Sequence, residues 1–440
     1  MPKRDFAQEK NQEATSGTEK RPKLDCENVQ TRATDASMPQ QGAEVAMQAT
    51  QSSSTPRRNN TDEESDEKEL KEIPPEDITV AIFCALSYES VAVKYSLDEE
   101  FECRPKAMGP RKYVYSFGRI GNHKVLIARP HQMGTVKAAQ CAATVCQQFP
   151  NVRFALMVGI AAGIPSLPKH DIRLDDIAVS IPRENHPGVL QYDFGKYESN
   201  RKFVLKGSLN KPPPILVSAD GSLEEDEMMS RRPLRKILRN ITKQPAYTRP
   251  NSGDTLFDQT FHHVNKGGDC SECEASREKK VVPRVDREPG QPVVHRGLIL
   301  SGSGVVKNPK DRDRLRRDHD DAICYEMEAA GIMDEIPCLV VRGICDYADT
   351  HKQDGWHYYA AAVAAAYSKA ILRKVYGHDV EETTSMKETM DKCEWEKHDN
   401  LWRTTNDNFV VQEKISEMTN KVNDMNQKVN DTGEGTRFKV

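Results

Sequence analysis

The stretch that decides the fold covers residues 325–349 and reads YEMEAAGIMDEIPCLVVRGICDYAD. Two carboxylate clusters lie on either side of a short apolar run, residues 337–341, whose β-branched side chains predict a buried strand. The second cluster begins at Asp346, where that strand is expected to end, and ligands of α/β proteins bind at the carboxyl ends of strands. The pattern therefore predicts acid–base chemistry at a sheet edge, although one carboxylate taken alone is more often a helix cap or an ion-pair partner.

The rest of the chain alternates between strand and helix patterns. Continuous apolar runs predict strands, apolar residues at helical spacing predict helices, and Gly121 with Asn122 predicts a hairpin turn. The predicted strands are residues 78–86, 113–117, 124–128, 154–158, 176–180 and 297–301, and the predicted helices are residues 90–95, 135–149 and 356–375. Strand, helix and strand in succession indicate a βαβ unit. The sequence thus predicts an α/β fold with a polar, irregular insertion at about residues 223–292.

The two ends of the chain are polar. Residues 1–72 are expected to form a disordered leader, because they cannot bury enough apolar surface to offset chain entropy. The basic run KRPK at residues 20–23 matches a nuclear-import signal, with a solvated charge run as the alternative. In the tail, residues 377–440, a heptad seam at residues 411–429 predicts a short helix that either self-associates or packs on its own domain. The apolar members of the seam are Val411, Ile415, Met418, Val422, Met425 and Val429.

Composition restricts the class of protein. The 440 residues carry a formal net charge of −4, which argues against a binder of nucleic-acid polymers. Hydrophobic residues make up 37%, so part of the chain is expected to lie outside a packed core. The 11 cysteines have no disulfide-framework spacing and indicate reduced thiols inside a cell. We expect neither a signal peptide nor a membrane span, and place the protein in the cytoplasm, with the nucleus as the alternative.

Six motifs occur in the order found in one superfamily. They are residues 80–89 (VAIFCALSYE), 159–163 (GIAAG), 189–196 (VLQYDFGK), 297–302 (GLILSG), 326–331 (EMEAAG) and 342–349 (RGICDYAD). Over residues 77–376 the chain resembles the nucleoside phosphorylase and nucleosidase superfamily, and within it the fungal branch that forms the N-terminal domain of immune-receptor-like proteins. The resemblance implies a catalytic domain built as a three-layer α/β sandwich around a twisted mixed sheet.

The resemblance also assigns roles to the carboxylates. In nucleosidases of this type, the glutamate matching Glu328 holds the ribose hydroxyls and the methionine matching Met327 lies against the sugar. Hydrogen bonds from hydroxyls to a carboxylate strengthen as the sugar becomes cationic. The aspartate matching Asp346 protonates the purine N7, which requires burial or a neighbouring negative charge to keep the proton near neutral pH. Arg342 either positions these carboxylates or forms a structural ion pair.

The same resemblance indicates which nucleophile is used. Glu89 matches the glutamate that orients and deprotonates water in hydrolytic members, and residues 85–89 lack the arginine of many phosphate loops. A turn is predicted after the strand at 154–158, and it offers the substrate the backbone amides and small side chains of Gly159, Ile160 and Ala161. This turn has no serine of the kind that commonly binds phosphate. These features favour water over phosphate as the nucleophile.

Two departures from the family pattern concern the base and the phosphates. The aromatic residue expected to stack on the purine is replaced by Val305, so base contacts are either looser or supplied from elsewhere. Basic residues lie where the phosphates of a nucleotide would meet them, although exposed basic side chains are usually only solvated. They are Arg231, Arg232, Arg235 and Lys236 in the insertion and Arg129, His131 and Lys137 around Gly134.

One group in the insertion has the residue types of a metal site. Cys270 and Cys273 have CxxC spacing and follow His262 and His263. Because a second CxxC is missing and the histidines precede the first, the pattern favours no metal, with zinc on Cys270, Cys273 and His263 as the alternative. Such an ion would fix the insertion and take no part in the chemistry. We expect no cofactor, since the sequence has no Walker A loop, no dinucleotide-binding glycine pattern and no HExxH.

The function predicted from the sequence is a metal-independent N-glycosidase. It hydrolyses a purine nucleoside or nucleotide, of adenosine or ATP type, to free purine and ribose or ribose phosphate. The alternatives are a purine nucleoside phosphorylase and a non-catalytic module for nucleotide sensing or oligomerisation; retention of all three carboxylates argues against the latter. The expected partners are the substrate and further copies of the chain, forming a homo-oligomer, with no membrane and no nucleic-acid polymer.

Overall fold

The central strands are continuous apolar runs, as expected for strands covered on both faces. The computed structural model describes residues 70–106, 113–183, 186–199, 203–265, 269–316, 319, 322–352, 354–392, 414–425 and 427–428. Its strands are β1 (Lys71–Glu72), β2 (Val80–Phe83), β3 (Glu99–Glu102), β4 (Ser116–Ile120), β5 (His123–Ala128), β6 (Phe154–Gly163), β7 (Ile177–Ser180), β8 (Val189–Gln191), β9 (Gly195–Tyr197), β10 (Phe203–Leu205), β11 (Val294–Ser301), β12 (Ala322–Glu326) and β13 (Cys338–Asp346).

The helices follow the amphipathic and alanine-rich segments. They are α1 (Ser87–Ser96), α2 (Thr135–Gln148), α3 (Pro214–Met228), α4 (Pro233–Ile241), α5 (Ser271–Ala275), α6 (Pro309–Arg316), α7 (Ala329–Ile332), α8 (His357–Lys374) and α9 (Gly377–Glu381). Alternation of these helices with the strands confirms the predicted α/β class. The hairpin predicted at Gly121 joins β4 to β5, and Gly121 has a φ of +58°.

The described residues are built around a central mixed sheet. Its strand order is β1-β3-β4-β5-β2-β6-β12-β11-β7-β13, and β8 pairs with β11. Strand β6 also pairs with β13 in parallel, so β6, β12, β11, β7 and β13 close into a ring. Strands β2, β6 and β13 are parallel, and their carboxyl ends therefore lie at one edge. The predicted central mixed sheet is confirmed.

Helix α8 is buried along most of its length and packs on β6 and β13, with α1, α3 and α4 beside it. Helices α2 and α7 pack against each other as a second group. At Gly343 a Cβ atom would collide with the backbone carbonyl of Ala360, so the alanine-rich helix lies almost directly on the strand. The predicted closing helix at residues 356–375 is confirmed.

The turn predicted at residues 159–163 is wrong. Strand β6 runs through this segment to Gly163 and pairs with β13 and β12 on its two sides. The small residues are required by close neighbours: a Cβ atom on Gly163 would lie 2.9 Å from side-chain atoms of Ile172 and Ile344. Glycine here serves close packing within the sheet and does not reverse the chain direction.

The insertion predicted at 223–292 begins later than expected. Helix α3 extends to Met228, α4 follows, and both pack on α8. Their apolar residues Leu223, Ile237 and Ile241 belong to the main hydrophobic core. The irregular part is therefore residues 242–292, and its described residues include the short helix α5 and a 3₁₀ turn at Pro245–Tyr247.

The domain also extends beyond its expected ends. Strand β1 pairs with β3, Ile73 is buried, and Met386 is buried with its backbone N–H bonded to the carbonyl of Val152. Most of the predicted disordered leader lies outside the described residues. Within the tail, residues 414–425 are helical, and the four seam residues among them are exposed; Val411 and Val429 lie outside the described residues. Among the helices that the structure describes, none has the length and apolarity to cross a membrane.

Candidate active site

Three chain segments bring four buried charged groups together at the sheet edge. Glu89 comes from the first turn of α1, Glu328 from the β12–α7 junction, and Arg342 and Asp346 from β13. All four residues are at least 96% buried. Burying so many charges in one place is costly unless they are paired, so their contacts decide what the site does.

Arg342 is the central cation. Its Nη2 donates hydrogen bonds to Glu326 and to Glu328 Oε2, the latter at 3.4 Å. Glu326 also accepts the backbone N–H groups of Glu328 and Ala329, and thereby caps α7. Glu326 was quoted in the sequence motif but was not predicted as a site residue; its position two residues before Glu328 was the available signal. The sequence left open whether Arg342 positions the carboxylates or forms a structural ion pair. It forms ion pairs with Glu326 and Glu328 and thereby also sets their positions.

Glu89 joins the first strand–helix turn to β6. Its two carboxylate oxygens accept hydrogen bonds from the N–H groups of Leu86 and Ile160, each at 2.8 Å. Burial raises the pKa of Glu89, against the opposing effects of Arg342 and of the backbone hydrogen bonds. A Cβ atom on Gly159 would collide with both Glu89 and Arg342. Gly159 thus allows the carboxylate and the guanidinium to approach the strand.

Glu328 faces a second loop. Its Oε1 accepts the N–H of Gly134 at 3.2 Å, directly before α2, and Gly134 has a φ of +108°. Burial raises the pKa of Glu328; Arg342 lowers it, and the nearby carboxylates of Glu326 and Glu89 raise it further. The group is a hydrogen-bond acceptor that can take a proton near neutral pH.

Asp346 ends β13 beside a cation. Its Oδ1 accepts the N–H of Ala348, and its Oδ2 accepts hydrogen bonds from Lys352 Nζ and, at 3.3 Å, from Cys345 Sγ. Of the two surroundings expected from the sequence, burial or a negative neighbour, Asp346 has the first, and its neighbouring charge is positive. Burial lowers the pKa of Lys352, but Asp346 outweighs this effect and the pKa is raised. Lys352 was missed, although it lies only six residues after Asp346.

Comparison with known proteins places this geometry in a family. The family model described as "Phosphorylase superfamily" matches residues 79–375. The chain belongs to the phosphorylase superfamily. This membership was predicted from the six motifs and is confirmed.

Two curated proteins are similar in sequence to parts of this superfamily member. A "Nucleotide-binding leucine-rich repeat (NLR)-like protein" of Hyaloscypha variabilis is 39% identical over 304 residues, covering 68% of this chain and 30% of that protein. "ATP nucleosidase Cap17" of Escherichia coli is 38% identical over 86 residues, 18% of this chain and 17% of that protein. The matched parts thus cover less than a third of either relative. The first match agrees with the predicted kinship to immune-receptor-like proteins.

Solved structures also match the chain, at low identity and with TM-scores below 0.5. The 5′-methylthioadenosine/S-adenosylhomocysteine nucleosidase of Neisseria meningitidis is 16% identical with a TM-score of 0.43, covering 67% of this chain and 98% of that one. Futalosine hydrolase of Helicobacter pylori is also 16% identical, with a TM-score of 0.44 and coverage of 67% and 97%.

The other residues assigned from the superfamily resemblance have mixed positions. Met327 is half-buried between Glu326 and Glu328. The N–H of Ile160 is already bonded to Glu89, so the strand offers the substrate fewer backbone donors than predicted; Ala161 is buried in β6. The substrate contacts predicted for Gly159, Ile160 and Ala161 remain a prediction.

An aromatic side chain lies close to the place where Val305 replaces the expected one. Val305 is exposed, whereas the hydroxyl of Tyr192 donates to the carbonyl of Gly304 at 2.7 Å. A Cβ atom on Gly302 would lie 2.6 Å from the Tyr192 ring. Tyr192 belongs to the quoted motif at residues 189–196, but its distance in sequence from Val305 concealed this contact.

The basic residues form two separate groups. Arg231, Arg232 and Arg235, but not Lys236, line a cavity of about 700 Å³ beside α4 that none of the site carboxylates lines. There Arg231 pairs with Asp226 at 3.2 Å, which fits a local role. Arg129 and His131 instead lie exposed on the β5–α2 loop that holds Gly134. This second group is the one connected to the carboxylate cluster.

Proposed function

We propose that this protein hydrolyses the N-glycosidic bond of a purine nucleoside or nucleotide. The observation that carries the proposal is the buried cluster in which Glu89 and Glu328 lie around Arg342, with Asp346 at the end of the same strand. These are the groups that glycosidic hydrolysis needs: one carboxylate for the water, one for the sugar and one for the leaving group.

Glu328 binds the ribose. Its carboxylate is held by the Gly134 amide and by Arg342, so its position is fixed before the substrate arrives. As the C1′–N9 bond breaks, positive charge develops on the sugar, and a buried carboxylate stabilises it more strongly than one in water would. Met327, half-buried beside it, offers an apolar contact to the sugar face.

Glu89 activates water. Both of its oxygens are anchored by backbone N–H groups, and each keeps a lone pair for a water molecule. The raised pKa makes Glu89 a stronger base than an exposed glutamate. The water oxygen bonds to C1′ while its proton passes to Glu89.

Asp346 protonates the leaving base. The hydrogen bond from Lys352 places a proton between the amine and the carboxylate, and this is the proton that we assign to the purine N7. The electron pair of the broken bond stays on the base, which leaves as the neutral purine. Lys352 is a positioning residue that acts through Asp346, by donating a hydrogen bond to its carboxylate.

We propose an adenine nucleotide as the substrate class. Arg129 and His131 are exposed beside the Gly134 loop. Burial and Glu89 raise the pKa of the Cys84 thiol, directly after β2, and Arg129 is near enough to this buried group to lower that pKa in part. Cations at this place suit 5′ phosphates. The similarity to a protein named as an ATP nucleosidase supports the same choice.

The test is release of free base, followed by chromatography. The panel contains adenosine, guanosine, inosine, methylthioadenosine, AMP and ATP, each with and without phosphate and beside an Asp346→Asn control. We expect phosphate-independent release of adenine from ATP or AMP, lost in the variant. Strict dependence on phosphate would make the protein a phosphorylase, and no release from any substrate would favour a non-catalytic sensing module.

A further inference from the structure

A cluster of metal-ligand side chains lies in the irregular insertion, away from the carboxylates of the proposed reaction. One ligand atom each from His263, Cys270 and Cys273 lies within 4.8 Å of the other two. Both cysteines are buried and free, in a segment whose surface is otherwise polar. They form a small apolar cluster with Phe257 and Phe261.

The chemistry of this set suits zinc. Ligand atoms bound tetrahedrally at about 2.0–2.3 Å lie roughly 3.3–3.8 Å apart, so inward shifts of about 1 Å complete the geometry. Cys270 lies directly before α5 and Cys273 lies within that helix. Two thiolates neutralise a divalent cation, so the occupied site would carry no net charge in its buried position. Cys273 Sγ already accepts the N–H of Val264 at 3.3 Å, as zinc-bound thiolates commonly do.

A second observation points to a ligand. His351 is 92% buried, and its Nε2 has no hydrogen-bond partner within the described residues. Its ring centre lies 5.4 Å from that of His263, and its Nδ1 lies 3.9 Å from Asp349 Oδ1. Two imidazoles on one zinc ion have ring centres up to about 6 Å apart, and a carboxylate on the other ring nitrogen is the usual outer partner.

We propose that His263, Cys270 and Cys273 bind a structural Zn²⁺ ion, with His351 as the fourth ligand. On binding, each cysteine loses its thiol proton to solvent, so the contact of Cys270 Sγ with the His351 carbonyl at 3.7 Å gives way to the metal bond. The sequence pattern favoured no metal because a second CxxC is missing and the histidines precede the first; the folded loop brings His263 to it, and His351 comes from outside the insertion.

The ion would fix the insertion behind Asp346. The backbone N–H of His263 donates to Thr350 Oγ1 at 3.1 Å, which ties the insertion to the loop between Asp346 and Lys352. A cavity of about 20 Å³ is lined by Cys270 and His351 as well as by Asp346. The ion would thus hold Cys270 and His351 in the wall of the cavity that Asp346 also lines.

The experiment is metal analysis of the full chain, purified without a metal-affinity tag or chelator and equilibrated with Zn²⁺ before gel filtration. We expect one zinc per chain, and less than one tenth of that in Cys270→Ser and in Cys273→Ser. Cys103→Ser, which removes a buried cysteine outside the cluster, is the matched control and keeps its zinc. Replacement of zinc by Co²⁺ should give thiolate-to-cobalt charge-transfer absorption that both cluster variants lose.

Three outcomes would overturn the assignment. They are wild-type protein without stoichiometric zinc, zinc retained in the double Cys270→Ser, Cys273→Ser variant, and an intact mass two daltons low that maps to a Cys270–Cys273 disulfide. For His351, a tenfold or greater loss of zinc affinity in His351→Ala supports its place as fourth ligand, and unchanged affinity removes it. None of these readouts depends on base release, so the zinc site can fail or hold independently of the proposed reaction.

Discussion

Two buried arginines of this fold are surrounded by carboxylates, yet they are satisfied to different degrees. Arg296 on β11 donates to Asp220 at 2.7 Å, to both oxygens of Glu227, and to the hydroxyl of Tyr367. Arg342 reaches its two glutamates through Nη2, and its buried Nε has no partner within the described chain.

The difference separates a structural network from a site. Around Arg296, Tyr367 closes the network by donating to Asp220 at 2.6 Å. Around Arg342, donor capacity is left over and burial raises the pKa of the flanking Glu89 and Glu328. A satisfied network holds elements together, whereas an incompletely satisfied one has capacity for a ligand.

The largest expected effect comes from removing one charge in each cluster. Glu328→Gln should lower kcat for base release by about 10³ without lowering the melting temperature, because the lost interaction matters mainly when the sugar becomes cationic. Asp220→Asn should do the reverse, costing about 1.5–3 kcal/mol of unfolding free energy with turnover per folded molecule intact. If the two variants behaved alike in calorimetry and kinetics, the contrast between the clusters would be lost.

A glycine pair tests whether close approach to the Arg342 cluster matters. Gly159→Ala should displace Glu89 and Arg342 and lower kcat by about 10², since small misplacements of catalytic groups are that costly. Gly221→Ala in α3 is the matched control: its Cβ atom meets nothing within 4 Å, and helix propensity should stabilise the fold by about 0.5–1 kcal/mol. Full activity in Gly159→Ala would show that the cluster tolerates rearrangement.

Two partly buried lysine–aspartate pairs extend the comparison. Lys352→Met should lower turnover roughly tenfold or more and shift one limb of the pH–rate profile, because Asp346 loses its proton partner. Lys352→Arg should restore most of the profile. The control is Lys369→Met, whose amine pairs with Asp98 at 2.6 Å away from the site, and it should change stability without moving the profile. An unmoved profile in Lys352→Met would assign that lysine to structure alone.

The smallest effect is a pH dependence of stability. Burial raises the pKa of Glu328 from its ordinary 4.5 to about 7. A carboxylate with a raised folded-state pKa stabilises the fold most when protonated, so its contribution is fully present below pH 4.5 and is lost by about pH 7. Glu328→Gln should therefore gain melting temperature relative to wild type on going from pH 4.5 to 7.5. Parallel curves for the two proteins would contradict this pKa.

Sequence reasoning recovered the elements whose signals are local. The apolar runs of β2, β6, β11 and β13, and the alanine-rich α8, were all predicted, and motif order identified the superfamily. Helix α4 was readable too: Ile237, Leu238 and Ile241 have helical spacing, but the charged residues around them made the segment appear irregular.

The errors came from contacts distant in sequence. Gly159 was interpreted as a turn residue, because nothing near it shows that side chains from α1 and β13 require the space above it. Asp346 was expected to be buried or to have a negative neighbour; it is buried, but its cationic partner Lys352 was not foreseen, since the superfamily motif that carries the aspartate ends before this lysine. His351, the proposed fourth zinc ligand, is far from the CxxC in sequence, and only the folded insertion brings Phe261 of the cysteine cluster against its ring.

The contact of α8 with β13 at Gly343 has a consequence for motion. With the helix backbone against the strand and no side chain between them, neither can separate without exposing the buried face of the other, so the two should open as one cooperative unit. Arg342 and Asp346 flank that contact on the same strand. Their amides should therefore exchange with solvent as slowly as the core of α8, on the timescale of global unfolding, while the insertion exchanges faster.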